Sequence, residues 1–283
     1  MSQAKFNVRK VAVLGAGVMG AQIAAHLVNA KVQTVLFDLP AKEGDKSSIA
    51  LKAIANLKKL KPAPLAAADR ADYITPANYE EHLHLLKDCD LVIEAIAERM
   101  DWKADLYHKV APHLGENSIF ATNTSGLSIN TLAQACPDSL RPRFCGVHFF
   151  NPPRYMHLVE IIPCLTSDAG VLDNLERFLV TTLGKGVVRA KDTPNFVANR
   201  IGVFSMLATI ANAEKYGIRF DVVDDLTGPR LGRPKSATFR TADVVGLDTF
   251  AHVVKTMQDT LPNDPWHGLF KTPAWLAALI EKG

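Results

Sequence analysis

Cysteine is scarce in this chain. There are four in 283 residues, Cys89, Cys136, Cys145 and Cys164, and no two stand in CxxC spacing. That argues against a disulfide framework and against a zinc site, and it fits a reducing, cytoplasmic setting. Excess charge is scarce as well. The 32 Lys and Arg outnumber the 29 Asp and Glu by only three, too few to build a nucleic-acid-binding face or a membrane-surface patch. No stretch reaches the roughly 18 apolar residues of a membrane span; the nearest, 201–213, carries Ser205, Thr209 and Asn212. MSQAKFNVRK at the N-terminus lacks the apolar run of a secretory signal. The nine histidines show no metal-ligand spacing, and His82 and His84, two apart on an expected helix, face different ways. No metal is therefore expected. No fixed-period repeat or low-complexity segment appears. What remains is an ordinary globular composition, 48% hydrophobic and 22% charged, long enough for about two domains.

Short apolar runs alternate with helical patterns through the first 190 or so residues. VAVLG (11–15), VQTVLFD (32–38), LVIEAI (91–96) and SIFATN (118–123) read as buried strands. Residues 19–30, 42–61 and 101–114 read as helices between them. This rhythm predicts an α/β, Rossmann-type doubly wound sheet. FCGVHFF (144–150) and HLVEIIP (157–163) are joined only by NPPRYM, too short for a parallel crossover, so they should run antiparallel. Asp168 is placed to cap a helix running to Leu183, and GVVRAK (186–191) closes the sheet region. Beyond Asp192-Thr193-Pro194 only helices are expected, over 196–216, 221–226, 247–261 and 273–281. The predicted organisation is thus a sheet domain over 1–191 and a smaller all-helical domain over 192–283.

GAGVMG, residues 15–20, is G-x-G-x-x-G between a predicted strand and a predicted helix. Gly15 permits the tight turn, Gly17 lets the backbone approach a pyrophosphate, and Gly20 permits close helix–strand packing. The helix N-terminus, at Val18 and Met19, offers unpaired N–H groups to the phosphates. Taken alone, the motif equally describes a bland glycine-rich turn. Asp38, at the end of the next strand, adds a carboxylate suited to a ribose diol and repellent to a 2′-phosphate. Leu39-Pro40 follow, with no Arg to receive that phosphate, so the reading is NAD in preference to NADP. The KKLK run at 58–61 reads as the solvated end of a helix.

His148 and Glu160 lie in the two strands expected to be antiparallel. With NPPRYM as the turn, Phe150 faces His157 and His148 falls opposite Val159, one step from Glu160, so the two side chains should meet. A carboxylate bonded to one imidazole nitrogen fixes the tautomer and makes the other a better base. From the residues alone, His148 is either such a base or a satisfied core histidine.

GAGVMGAQIA, LVIEAIAE, ATNTSGLSI, GVHFFNPPRYMHLVEI and DTPNFVANRIG occur in this order. Together they resemble the L-3-hydroxyacyl-CoA dehydrogenase family of fatty-acid β-oxidation, especially bacterial members with a fused enoyl-CoA hydratase region. The resemblance runs from about Val11 to the last residue. It implies NAD-dependent oxidation of a (3S)-3-hydroxyacyl-CoA, with His148 as general base, Glu160 pairing with it, Ser125 on the substrate oxygen and Asn199 completing the site. It implies cofactor contacts from Gly15, Gly17, Val18, Met19, Gly20 and Asp38, and also from Glu98, Lys103 and Ser125. A homodimer through the helical domain is implied as well. The sequence departs from the family pattern in three ways. Asn195 stands where Gly is usual, and Asn tolerates the left-handed region better than most residues. No Ser or Lys near 47–61 corresponds to the family's contacts with the CoA phosphates. The closing Lys-x-Gly-x-Gly-Phe-Tyr segment is absent, so the chain is expected to be the front portion of a longer polypeptide. The rivals left open are a related NAD-dependent hydroxyacid or sugar-acid dehydrogenase on the same scaffold, and a catalytically silent nucleotide-binding module.

Overall fold

The computed structural model describes residues 7–282. They form two compact units, the first ending at Asp192 and the second starting at Thr193. The first unit is built on eight strands: β1 (Lys10–Leu14), β2 (Gln33–Asp38), β3 (Ile74–Asn78), β4 (Leu91–Glu94), β5 (Ile119–Thr122), β6 (Phe144–Phe149), β7 (Leu158–Pro163) and β8 (Gly186–Arg189). Their order across the sheet is β3-β2-β1-β4-β5-β6-β7-β8. Strands β1 to β6 are parallel; β7 pairs antiparallel with β6 and parallel with β8. The chain order reverses between β1 and β4, which places a topological switch point, the usual ligand crevice of such sheets, above those two strands.

The inner strands are covered on both faces, and every residue of β4, β5 and β6 is buried. This is why they read as unbroken apolar runs without alternation. Each fully buried Val or Leu there contributes roughly 1.5–3 kcal/mol. Helix α1 (Val18–Asn29) follows β1 and buries Gly20, Ala21, Ala24 and Ala25, small residues that let it lie close to the sheet. It stops in a Schellman arrangement. Lys31 takes φ +62°, its N–H bonds to the Val28 carbonyl at 3.0 Å, and the Val32 N–H bonds to Leu27 at 3.1 Å.

Helix α2 is shorter than its pattern suggests, Ser48–Leu57 instead of 42–61. Gly44, at φ +73°, and Asp45, which accepts from the Ser47 N–H at 2.8 Å, turn the chain before it. Pro62 disfavours helix at the residue before it. Strand β3 escaped the sequence reading because of Pro76 at its centre. It is an edge strand, the one place in a sheet where a missing N–H is tolerated. Helix α3 (Met100–Val110) and the short α4 (Ile129–Gln134) flank β5. Helix α5 (Ala169–Thr181) is capped as expected, with the Val171 N–H donating to Asp168 Oδ1 at 3.0 Å. His82 and His84 lie at a 3-10 turn, not on an α-helix.

The second unit holds α6 (Ala198–Tyr216), α7 (Phe220–Thr227), α8 (Phe239–Val245), α9 (Leu247–Thr260) and α10 (Ala274–Lys282). Val203, Leu207 and Ile210 on α6 meet Phe250, Val254 and Met257 on α9, two stripes at helical spacing that form one core. Helix α8 was not legible in the pattern. Its N-terminus is held by the Asp224 carboxylate, which accepts from the N–H groups of Thr238, Phe239 and Arg240.

One buried group in the sheet unit makes its stability pH-dependent. His26 on α1 meets the Leu183 carbonyl through Nε2 at 3.3 Å, while Nδ1 is buried with no hydrogen-bond partner among the described residues. Burial, then the nearby Lys185 charge, lowers its pKa from 6.5 to about 4. Between those values the unfolded chain takes up a proton that the folded chain refuses. Stability should therefore be full above pH 6.5 and fall as pH drops toward 4, by roughly 2–3 kcal/mol. Thermal unfolding from pH 7 to pH 4.5 measures this slope, and His26→Gln should flatten it.

Candidate active site

The turn from β1 into α1 divides its work among three glycines. Gly15 takes φ +103°, and a Cβ there would lie 2.8 Å from the Ala95 carbonyl oxygen. A Cβ on Gly20 would lie 1.8 Å from the Gly15 carbonyl oxygen, so only glycine lets the helix sit at this height. A Cβ on Gly17 would meet nothing within 4 Å, so its bareness serves no packing need inside the chain. Helix α1 begins at Val18, and the N–H groups of Val18, Met19 and Gly20 open its first turn, where an anion is favoured.

Asp38 ends β2 and ties the turn down. Its Oδ2 accepts from the Ala16 N–H at 2.6 Å and its Oδ1 from the Leu39 N–H at 2.7 Å. Beside it opens a cavity of about 490 Å³ lined by Gly15, Gly17, Asp38, Tyr79, Trp102 and Lys109 among others. Tyr79 stacks on Phe37 with ring centroids 5.8 Å apart, and its buried hydroxyl meets no hydrogen-bond partner among the described residues. Burial, reinforced by the Asp38 and Glu94 carboxylates, raises its pKa well above the ordinary value, so it stays a phenol able to donate. An open glycine, a buried hydroxyl and the Asp38 carboxylate line this cavity, and the first-turn amides of α1 follow Gly17 directly in the chain; together they fit a dinucleotide.

The strand register corrects the sequence reading. His148 pairs directly with Glu160, and Phe149 with Val159, one residue off the expected alignment. Phe150 has already left β6 and β7 starts only at Leu158, so the connection is longer than NPPRYM. Directly paired residues share a face of the sheet. His148 Nδ1 lies 2.7 Å from Glu160 Oε2, with His148 only 4% exposed and Glu160 fully buried. A carboxylate only accepts, so the neutral ring carries its proton on Nδ1 and its lone pair on Nε2. Asn123, just past β5, accepts from the Phe149 N–H at 2.9 Å and fixes the end of β6.

Ser125 lies in the loop after β5. Its N–H donates to Glu98 Oε1 at 2.6 Å, and the Thr124 hydroxyl donates to Glu98 Oε2 at 2.6 Å. Lys103 is only 1% exposed, with Nζ 2.6 Å from Glu94 Oε1 and 4.0 Å from Glu98 Oε2. Glu94 was missed because it reads as the polar end of an apolar strand. Asp192 was missed too; it accepts from the Ser128 hydroxyl and from the N–H groups of Ile129 and Asn130, fastening the far end of the Ser125 loop. In the second unit, Asn199 lies in the first turn of α6. Asn195 takes φ +60°, the left-handed conformation that its replacement of Gly requires, and Phe196 follows at +50°. Among the described residues no group of three His, Cys, Asp or Glu side chains could hold a metal ion, and no helix is long and apolar enough to cross a membrane.

Two family models match end to end. The one described as 3-hydroxyacyl-CoA dehydrogenase, NAD binding domain, covers residues 10–193, and the one described as 3-hydroxyacyl-CoA dehydrogenase, C-terminal domain, covers 196–283. The chain belongs to the 3-hydroxyacyl-CoA dehydrogenase family. A Bacillus subtilis protein named "Probable 3-hydroxyacyl-CoA dehydrogenase" is 44% identical over 98% of this chain, and the chain spans 37% of that protein. A Deinococcus radiodurans protein of the same name is 45% identical over 91% of this chain, which spans 75% of it. The crystal structure of (S)-3-hydroxybutyryl-CoA dehydrogenase from Ralstonia eutropha superposes with a TM-score of 0.78 at 27% identity, covering 98% of this chain and 95% of that one. The cofactor of this dehydrogenase family's sheet domain is NAD.

The glycine geometry separates packing from binding. Gly17→Ala should leave the melting temperature within about 2 °C of the parent and weaken NAD binding about tenfold or more, since the added methyl meets only the ligand. Gly20→Ala should lower the melting temperature sharply, because backbone must move to admit its Cβ. Thermal unfolding and calorimetric NAD titration of both variants check this.

Proposed function

We propose that this chain oxidises (3S)-3-hydroxyacyl-CoA to 3-oxoacyl-CoA with NAD, as a dehydrogenase of fatty-acid β-oxidation. The observation that carries the reading is the buried His148–Glu160 pair, whose Nδ1 to Oε2 distance is 2.7 Å. Bound NAD supplies the hydride acceptor, held by the glycine turn, the first turn of α1 and Asp38. His148 takes the C3 hydroxyl proton on Nε2 as the hydride leaves C3 and the C–O bond becomes a carbonyl. Glu160 stabilises the imidazolium that forms. Ser125, and on the resemblance Asn199, hold the oxygen by hydrogen bonds through this change.

The reading extends to setting and partners. Four buried free cysteines support a reducing, cytoplasmic environment. An apolar groove of about 570 Å³ in the helical unit, lined by Ile201, Phe204, Ala208 and Leu226, supports a homodimer through that unit. The chain's 37% share of the Bacillus relative leaves room for a fused enoyl-CoA hydratase region in a longer polypeptide.

NADH formation across a series of (3S)-hydroxyacyl-CoA chain lengths, set against the free 3-hydroxy acids, tests the substrate class. Equal rates without the CoA handle would overturn it. His148→Ala should lower kcat by about 10²–10⁴-fold, the range for a lost general base, with the calorimetric NAD affinity unchanged. The cavity beside Asp38 is assigned to the adenosine half of the cofactor, with Trp102 on its wall. ADP should therefore quench Trp102 fluorescence, and Trp102→Phe should abolish the quench. The other two tryptophans, Trp266 and Trp275, lie in the second unit and should not respond.

A further inference from the structure

The connection between β6 and β7 runs over residues 150–157, and it carries the relation between His148 and Glu160. A two-residue hairpin sets strand register through its turn geometry; a connection of this length needs tethers. The apolar pattern chooses weakly here. Val159, Glu160, Ile161 and Ile162 are all buried, so a slip of β7 by one residue exchanges one enclosed face for the other. The loop matters from its first residue, because the Phe150 ring lies against the His148 imidazole with centroids 4.4 Å apart.

The loop is tethered along its length. Near its start, Gln22 on α1 donates to Asn151 Oδ1 at 3.2 Å. At the surface, the Arg154 guanidinium and the Tyr155 hydroxyl donate to carbonyls of the segment after α2, those of Ala63 and Leu65. From within, the Lys185 ammonium donates to the Pro153 carbonyl and, at 2.9 Å, to the Met156 carbonyl. Lys185 is only 4% exposed. Its backbone is fixed on both sides. Its own N–H donates to the Leu179 carbonyl of α5 at 2.9 Å, and the next residue, Gly186, pairs with Leu158 and donates to the His157 carbonyl at 3.0 Å. The Lys185 tether thus bridges two carbonyls of the loop just before β7 begins.

A buried ammonium ordinarily has an anion beside it. Lys185 has none among the described residues, and burial brings its pKa down from 10.5 to about 8. A methylene chain of similar shape would avoid that desolvation. What the ammonium adds is the bridge, and a charged donor holds carbonyls more tightly than a neutral one.

We infer that Lys185 is a positioning residue: by bridging the Pro153 and Met156 carbonyls it fixes the end of the loop, and so holds β7 in the register that sets Glu160 against His148. The consequence for turnover rests on the reading of His148 given above, whereas the consequence for the hydrogen bond of the pair does not.

The test is Lys185→Met in the full chain, which keeps the stem and removes the donors. The His148 Nδ1 proton, held against a carboxylate, should give a strongly downfield resonance in the parent, assigned by its absence from His148→Ala. In K185M that resonance should broaden or move upfield, and amide exchange across residues 154–157 should quicken about tenfold or more. The value of kcat should fall about tenfold or more, since small misplacements of reacting groups are costly to rate, with KM and the calorimetric NAD affinity within about threefold of the parent. A role confined to folding would lower the melting temperature and leave the resonance and kcat of the folded chain alone. An unchanged resonance, unchanged exchange, or a loss carried by KM with kcat intact would each overturn the inference. If the parent shows no such resonance, the exchange and the split between kcat and KM decide. Lys185→Gln, whose shorter and neutral side chain cannot bridge both carbonyls, should show the same changes and decides alone if K185M does not fold. Failure of both variants to fold would overturn the inference as well, because the bridge would then be a requirement of the whole fold. A parent chain inactive on every hydroxyacyl-CoA would instead sink the proposed reaction and leave the resonance and exchange results standing.

Discussion

A carboxylate taken out of water must be given donors in exchange, and in the sheet unit that requirement is met at four places. Asp38 closes β2 on the amides of Ala16 and Leu39. Glu94 closes β4 on four donors from three segments, the loop after it, α3 and β5. Glu160 in β7 meets the His148 ring. Asp192, the last residue of the unit, meets the loop that begins α4. Each of these anions organises the loop that satisfies it. The loops above the switch point therefore have their conformation set by electrostatic need more than by apolar packing, which lies below them among the strands and helices.

This arrangement puts the rigid and the receptive parts of the site on different residues. Gly20 and Gly15 are fixed by backbone contacts below van der Waals separation for any added Cβ, whereas Gly17, two residues from Gly15, is bare toward open space. The helix can approach β1 closely because of the first two, and a ligand can approach the helix because of the third. Buried and open positions alternate within six residues, so a ligand at this turn would meet backbone that the chain's own contacts already hold. Such preorganisation lowers the entropic cost of ordering that would otherwise oppose binding.

Much of this was legible in the sequence where one physical cause dominated. Buried parallel strands are apolar throughout, so VAVL, LVIE and IFAT announced themselves; the glycine turn and Asp38 follow from backbone sterics and spacing. The reading failed where two causes competed. Pro76 argues against a strand unless the strand is known to lie at an edge, and edge position is a property of the assembled sheet. The Lys42–Lys61 pattern has helical periodicity, but Gly44, Asp45 and Pro62 cut it to ten residues. Helices α4 and α8 are too short for periodicity to speak, and α8 owes its start to Asp224, fourteen positions before Thr238. Glu94 was invisible for a related reason: its partners come from α3 and β5, and nothing in LVIEAI says that a carboxylate there would be fully enclosed.

The one-residue error in register shows how narrowly such a site is specified. In an antiparallel pair, residues directly opposite share a face, while a shift by one sends the neighbour to the other face. With His148 opposite Val159, the Glu160 carboxylate would point across the sheet from the imidazole; with Phe150 released into the loop it comes to 2.7 Å. The reversal of direction matters as much. β6 runs parallel to β5, so His148 arrives near the carboxyl edge where the Ser125 loop begins. Because β7 turns back, its first residues, Glu160 among them, lie at that same edge. A parallel crossover would bring the beginning of the next strand to the opposite edge, and a base with its carboxylate would then need residues from distant parts of the chain. A hairpin at the margin of a parallel sheet supplies both from positions twelve apart, with the imidazole buried and its Nδ1 set against the carboxylate.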